Sequence, residues 1–196
     1  MRTTTVERNT KETKIRLTLS ILSPEENGSF KGSCGVGFFD HMLDAICVHG
    51  KFAMDLEMTG DLNVDTHHSL EDLGIVLGKA FYELTRGQAL SRFGTAFIPM
   101  DEALSRCVLD ISGRPYLVFD ATFSSPYIGA METCMFREFF YAFAIHAAVT
   151  LHLSVLYGDN DHHKAESLCK AFAYALRQAC APVSGAVLST KGTLEK

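Results

Sequence analysis

A chain of 196 residues with 47% apolar and 21% charged side chains has the balance of a soluble globular protein, and no apolar run is long enough to span a bilayer. A net charge of -5 argues against a general nucleic-acid surface, while leaving room for a local cationic pocket that takes one phosphate. The N-terminus carries no signal-peptide apolar core and the six cysteines form no CxxC pair, so a cytoplasmic protein with reduced, buried thiols is expected.

In chain order, Thr13, Ile15, Leu17, Leu19 and Ile21 alternate with polar residues, the period of a half-buried strand. Asn27-Gly28 marks a turn before a short candidate strand from Ser29 to Cys34. Phe39, Met42, Leu43 and Ile46 recur at helical spacing, and His49-Gly50 ends that helix. Phe52, Met54, Leu56 and Met58 alternate as another strand. Beyond Asp65-Thr66, the residues Leu70, Leu73, Leu77, Ala80 and Leu84 line one face of a long helix that closes near Gly87.

The second half repeats this order. Leu104 to Ile111 and Tyr116 to Phe123 are strand candidates on either side of Gly113-Arg114-Pro115, and Met131 to His146 is an apolar helix. Val149 to Tyr157 alternates as a strand, and a helix runs from His162 to about Cys180. The short strand Gly94 to Met100 matches Thr3 to Glu7. The expectation is an α+β fold of two duplicated strands-helix-strand-helix halves, 1–92 and 93–196, forming one compact unit with helices on one face of mostly antiparallel sheets.

Two motifs open corresponding helices: His67-His68-Ser69-Leu70-Glu71 and His162-His163-Lys164-Ala165-Glu166. Residues three and four apart are neighbours on a helix, so Glu71 lies beside either His67 or His68. Adjacent histidines point about 100° apart and do not readily share one ion, so two ions, each served by both helices, fit the pattern. A single such pair is easily a solvated helix start; two copies at matching places point to metal. His41 and His152 fall off the apolar faces of their elements and join the candidate ligands, whereas His49 and His146 sit at helix C-termini and are read as structural. Imidazoles and carboxylates without thiolates suit manganese, iron, cobalt, nickel or zinc better than calcium or magnesium.

These segments, together with Glu7-Arg8-Asn9-Thr10-Lys11-Glu12-Thr13, Phe39-Asp40-His41-Met42-Leu43, Met100-Asp101-Glu102-Ala103, Gly113-Arg114-Pro115, Thr150-Leu151-His152 and Ser189-Thr190-Lys191-Gly192, resemble the imidazoleglycerol-phosphate dehydratases of histidine biosynthesis over nearly the whole chain. Thr66, Leu188 and His146 depart from the family's usual residues. The resemblance implies two manganese ions per site, held by His41, His67, His68, Glu71, His152, His162, His163 and Glu166. It implies conversion of imidazoleglycerol phosphate to imidazoleacetol phosphate by way of an imidazolate/diazafulvene intermediate, in a homo-oligomer of about 24 subunits with sites at subunit contacts. Glu12 is the candidate acid/base, with Asp101 and Glu102 weaker candidates at the matching place of the second half. Arg92, Arg114, Lys170, Ser189 and Lys191 are the proposed phosphate ligands. A dinuclear hydrolase and a non-catalytic metal-binding oligomer are the competing readings; metal storage needs neither Glu12 nor the Ser-x-Lys segment.

Overall fold

The computed structural model describes residues 2–184. The first half contains β1 (Arg2–Asn9), β2 (Thr13–Ile21), β3 (Ser29–Gly32), α1 (Gly37–Gly50), β4 (Phe52–Gly60) and α2 (His67–Thr85). The second contains β5 (Phe93–Met100), β6 (Ala103–Asp110), β7 (Tyr116–Asp120), a small hairpin of β8 (Tyr127–Ile128) and β9 (Met131–Glu132), α3 (Met135–Ala147), β10 (Thr150–Tyr157) and α4 (Asp161–Ala179). The fold is α+β. The two four-stranded sheets have equivalent orders, β1-β2-β4-β3 and β5-β6-β10-β7. In each, two antiparallel pairings are followed by one parallel pairing at the edge.

The helices of one half pack on their own sheet and on the helices of the other half, α1 against α4 and α2 against α3, so the core lies between the sheets. Phe136, Phe139, Phe140 and Phe143 of α3 are fully buried there. Phe139 meets Phe39 edge-on at 4.7 Å, and Phe140 and Phe143 both meet Phe172 at 5.0 Å. Each such ring contributes roughly 1.5–3 kcal/mol by burial. Two glycines let α2 and α3 approach closely: a Cβ on Gly74 would stand 2.6 Å from the Phe139 carbonyl oxygen, and one on Gly78 would stand 2.7 Å from that of Phe143.

Helix α3 starts later than the apolar pattern predicts. Met131 and Glu132 instead pair with Ile128 and Tyr127 across Gly129, whose φ of 59° suits a residue without a Cβ. The Thr133 amide and hydroxyl are each 2.9 Å from a carbonyl they donate to, those of Pro126 and Ser125, which holds this stretch out of the helix. Met131 is buried anyway, so apolar spacing alone does not mark the boundary. Five cysteines are buried and free as expected, and Cys134, just before α3, is exposed. Burial pushes the five buried thiols up, those of Cys47 and Cys180 to about 12. Among the described residues, no helix is long and apolar enough to cross a membrane.

The outer faces of the two sheets differ in character. That of the first carries ion pairs, Arg16 with Glu7 and Glu57, and Lys31 with Asp55. That of the second exposes Phe93, Phe97, Val108, Tyr116 and Val118.

Candidate metal and substrate site

A side chain just ahead of each helix holds the backbone of its histidine pair. The Asn160 side chain accepts from the amides of His162 and His163, and an Asp65 carboxylate oxygen accepts from the amide of His67 at 2.8 Å. The first histidine of each pair then faces its own glutamate one turn on. His162 Nε2 is 3.1 Å from Glu166 Oε2, and His67 Nε2 is 3.5 Å from Glu71 Oε2. The second histidine turns away, with ring centres 6.2 Å apart in the first pair and 6.3 Å in the second, and planes close to perpendicular.

His41 reaches this region from α1, because α1 packs on α4. Its Nε2 is 3.3 Å from Glu166 Oε2, and the ligand atoms of His41, His162 and Glu166 all lie within 4.8 Å of one another. Two imidazole nitrogens and a carboxylate oxygen converging in this way form a donor set suited to a divalent transition metal. Lys170 closes the other side of Glu166, its Nζ 2.6 Å from Oε1. Burial pushes the Glu166 carboxyl up, but Lys170 and the two imidazoles outweigh it and hold the group below its ordinary value.

The second histidines meet other carboxylates. His68 Nδ1 lies 2.9 Å from Asp61 Oδ2, and that bond raises the pKa of the imidazole. Glu12, exposed in the β1–β2 turn, places a carboxylate oxygen 3.9 Å from His68 Nε2. His163 Nδ1 lies 2.7 Å from Glu102 Oε2, which raises the pKa of His163 in the same way. Glu102 also accepts from the amides of Asn160 and Asp159, at 2.7 and 3.2 Å. The His163 contact and these amides push its carboxyl down to about 2.

The other predicted residues lie elsewhere. His152 stands on the outer face of the second sheet, with Val108 and Val118 as cross-strand neighbours. At the same end of that face, Arg92 grips Asp110 with Nε at 2.7 Å and Nη2 at 3.1 Å, and Arg114 Nη2 is 3.8 Å from Asp110 Oδ2. Thus Arg92, Arg114 and His152 share one surface, whereas Lys170 sits with the Glu166 cluster. Ser189 and Lys191 lie outside the described residues. His49 packs on Tyr174, and His146 Nδ1 contacts its own helix at the Ala142 carbonyl.

Sequence reasoning missed Asp61 as a partner of His68, and it weighed Glu102 only as a proton carrier. A carboxylate is a regular partner of a ligating imidazole, but nothing in the spacing distinguishes Asp61 from Asp65 for that role. A concavity of about 700 Å³ lies at the opposite ends of α2 and α4, lined by residues such as Leu90, Phe52 and Arg177; it has neither histidine nor carboxylate among its walls.

A sequence model of the imidazoleglycerol-phosphate dehydratase family matches residues 34–176. The imidazoleglycerol-phosphate dehydratase of Phenylobacterium zucineum is 50% identical over 98% of this chain and 99% of its own length. That of Clostridioides difficile is 48% identical over 99% of this chain and 100% of its own. The crystal structure of the Staphylococcus aureus enzyme aligns with a TM-score of 0.83 at 36% identity, covering 93% of this chain and 100% of that one. The Pyrococcus furiosus structure aligns with a TM-score of 0.81 at 34% identity, over 96% and 99%.

Proposed function

Because the chain belongs to the imidazoleglycerol-phosphate dehydratase family, we propose that it dehydrates imidazoleglycerol phosphate to imidazoleacetol phosphate in histidine biosynthesis, using a dinuclear manganese site. The observation that carries the metal reading is the convergence of His41, His162 and Glu166. His67 and Glu71 form the corresponding pair of the first half, and His68, His163 and His152 complete the ligand set. Bound there, the ions supply Lewis acidity to the imidazole ring of the substrate.

The remaining chemistry falls to side chains. The substrate loses the hydroxyl of the carbon bonded to the ring and a proton from the next carbon. Water departs, and the enol left behind tautomerises to the ketone. Glu12 takes the carbon-bound proton: its carboxylate stands beside His68 Nε2, within the same locality as the ligands. Arg114, Arg92, Lys170, Ser189 and Lys191 hold the phosphate, and Arg114 supplies a planar set of donors suited to its oxygens. Lys170 also keeps Glu166 ionised.

The active form is a large homo-oligomer in the cytoplasm. His152, Arg92 and Arg114 lie on the outer face of the second sheet, whereas the other ligands gather around the starts of α2 and α4. A second copy seated on that face brings the two sets together and covers Phe93 and Phe97, which are 53% and 54% exposed. The test is to assay ketone formation from imidazoleglycerol phosphate after chelation and after manganese is returned. Manganese-dependent product supports the reading; turnover that persists unchanged in chelated protein overturns its metal component.

A further inference from the structure

The second histidines of the two motifs share a feature that their sequence surroundings do not. Both turn Nδ1 toward a carboxylate, His68 toward Asp61 at 2.9 Å and His163 toward Glu102 at 2.7 Å. An ionised carboxylate only accepts, so a neutral ring in either contact must carry its proton on Nδ1. That leaves Nε2 of each ring with a free lone pair. We propose that Asp61 and Glu102 are positioning residues that lock His68 and His163 in the Nδ1–H tautomer and so present Nε2 to the metal. The proposal rests on the reading of these two histidines as ligands.

The duplication shows how the two carboxylates came to serve one purpose from different places. In the first hairpin Asn9 pairs with Lys14, and in the second Pro99 pairs with Leu104. The four residues between each pair therefore correspond, which sets Glu12 against Glu102. The matching glutamates are used differently. Glu12 faces the Nε2 side of His68 and is exposed, whereas Glu102 faces the Nδ1 side of His163 and accepts two backbone amides as well. In the first half the Nδ1 position is taken instead by Asp61, from the loop between β4 and α2. Glu12 is thereby left free to move a proton. Glu102, with one oxygen on His163 and the other on two backbone amides, is committed to holding these groups in place.

Partners of this kind set both the tautomer and the aim of a ligating imidazole, and their loss typically weakens metal binding roughly 10- to 100-fold. The test uses full-length protein labelled with ¹⁵N in histidine and sedimented for solid-state NMR, at a pH where the rings are neutral. It is run metal-free and with diamagnetic zinc. The two signals are assigned by their absence from His68→Asn and His163→Asn. In the metal-free wild type both rings are expected to be protonated on Nδ1 and bare on Nε2. Glu102→Ala should move His163 to mixed tautomers and Asp61→Ala should do so for His68, each with roughly 10- to 100-fold weaker zinc binding by chelator competition. Glu102→Gln, which keeps an acceptor oxygen, should recover most of both effects, and this separates tautomer control from damage to the fold. His163 protonated on Nε2 in the wild type, or unmoved by Glu102→Ala, overturns the proposal. A tautomer shift without loss of zinc affinity overturns instead the reading of these histidines as ligands, so the two failures are told apart.

Discussion

Replacing Asp161 with alanine is expected to destabilise the protein far more than its place at a helix start suggests, and adding Lys164→Met is expected to reverse most of the loss. Lys164 is only 6% exposed. Its Nζ donates to Asp161 Oδ1 at 2.6 Å and to the Thr122 carbonyl at 3.1 Å. Asp161 also accepts from the Ser124 amide and hydroxyl and the Ser125 amide, at 3.0, 2.8 and 2.7 Å. Ser124 and Ser125 are exposed and turn to water when the carboxylate is gone, so they add little. The buried ammonium has no such recourse: removing one partner of a buried pair costs about 3–5 kcal/mol because a charge stays desolvated and uncompensated. Methionine fills the space of the lysine stem without the charge, and the double variant should lie within about 2 kcal/mol of wild type. Denaturant unfolding of wild type, Asp161→Ala, Lys164→Met and the double variant measures this. A double variant as unstable as Asp161→Ala would refute the argument from uncompensated charge. The pH dependence has a definite sign. Burial raises the Asp161 carboxyl, but Lys164 and the serine donors outweigh it, so its pKa is lowered on folding. Its contribution is present above the unfolded value and is lost as the pH falls toward the folded one. Wild type should lose this increment in strong acid, and Asp161→Ala should not.

Gly78→Ala should lower the melting temperature, at a cost of about 1–3 kcal/mol, because the new Cβ would meet the Phe143 carbonyl oxygen at 2.7 Å and the His146 Cβ at 2.9 Å. Glu12→Gln should reduce turnover by roughly 100-fold or more while metal content, read by elemental analysis, stays level. Arg114→Ala and Lys191→Ala should each raise the Michaelis constant for the phosphorylated substrate and weaken inhibition by free phosphate; unchanged values would move the phosphate pocket elsewhere. Chelation at neutral pH should yield smaller, inactive particles by light scattering, and manganese should restore mass and activity together; a metal-free sample of full mass would separate assembly from metal.

The strands and helices were legible wherever period and burial coincide, as in Ile15, Leu17 and Leu19 of β2 or Leu70, Leu73 and Leu77 of α2. They were less legible at α3, where Met131 is buried in a hairpin and so extends the helical pattern without belonging to it. At the site, helical geometry left two candidates for the neighbour of Glu71, and the structure pairs it with His67. His41 was singled out for falling off an apolar stripe, but its approach to Glu166 depends on how α1 crosses α4, a tertiary fact that no local pattern contains. Asp61 was invisible for the same reason. Its side chain matters only once the β4–α2 loop brings it to His68.

The duplication also explains why one chain holds its candidate residues on two surfaces. The row Thr5-Thr18-Asp55-Lys31 across the first sheet corresponds to Thr95-Val108-His152-Val118 across the second. In the first row Lys31 and Asp55 form an exposed ion pair, a combination that tolerates water and contributes little to stability. In the second, valines flank a half-buried histidine, among neighbours that include exposed aromatic rings. Solvent exposure alone gives no reason to exchange an ion pair for apolar side chains on an outer face. The partner copy proposed above, burying the valines and giving the histidine an ion to bind, would account for both changes at once. Under that proposal it would also account for the asymmetry of the two rows: one ends in an exposed ion pair, and the other carries His152 on a face apart from the histidine pairs.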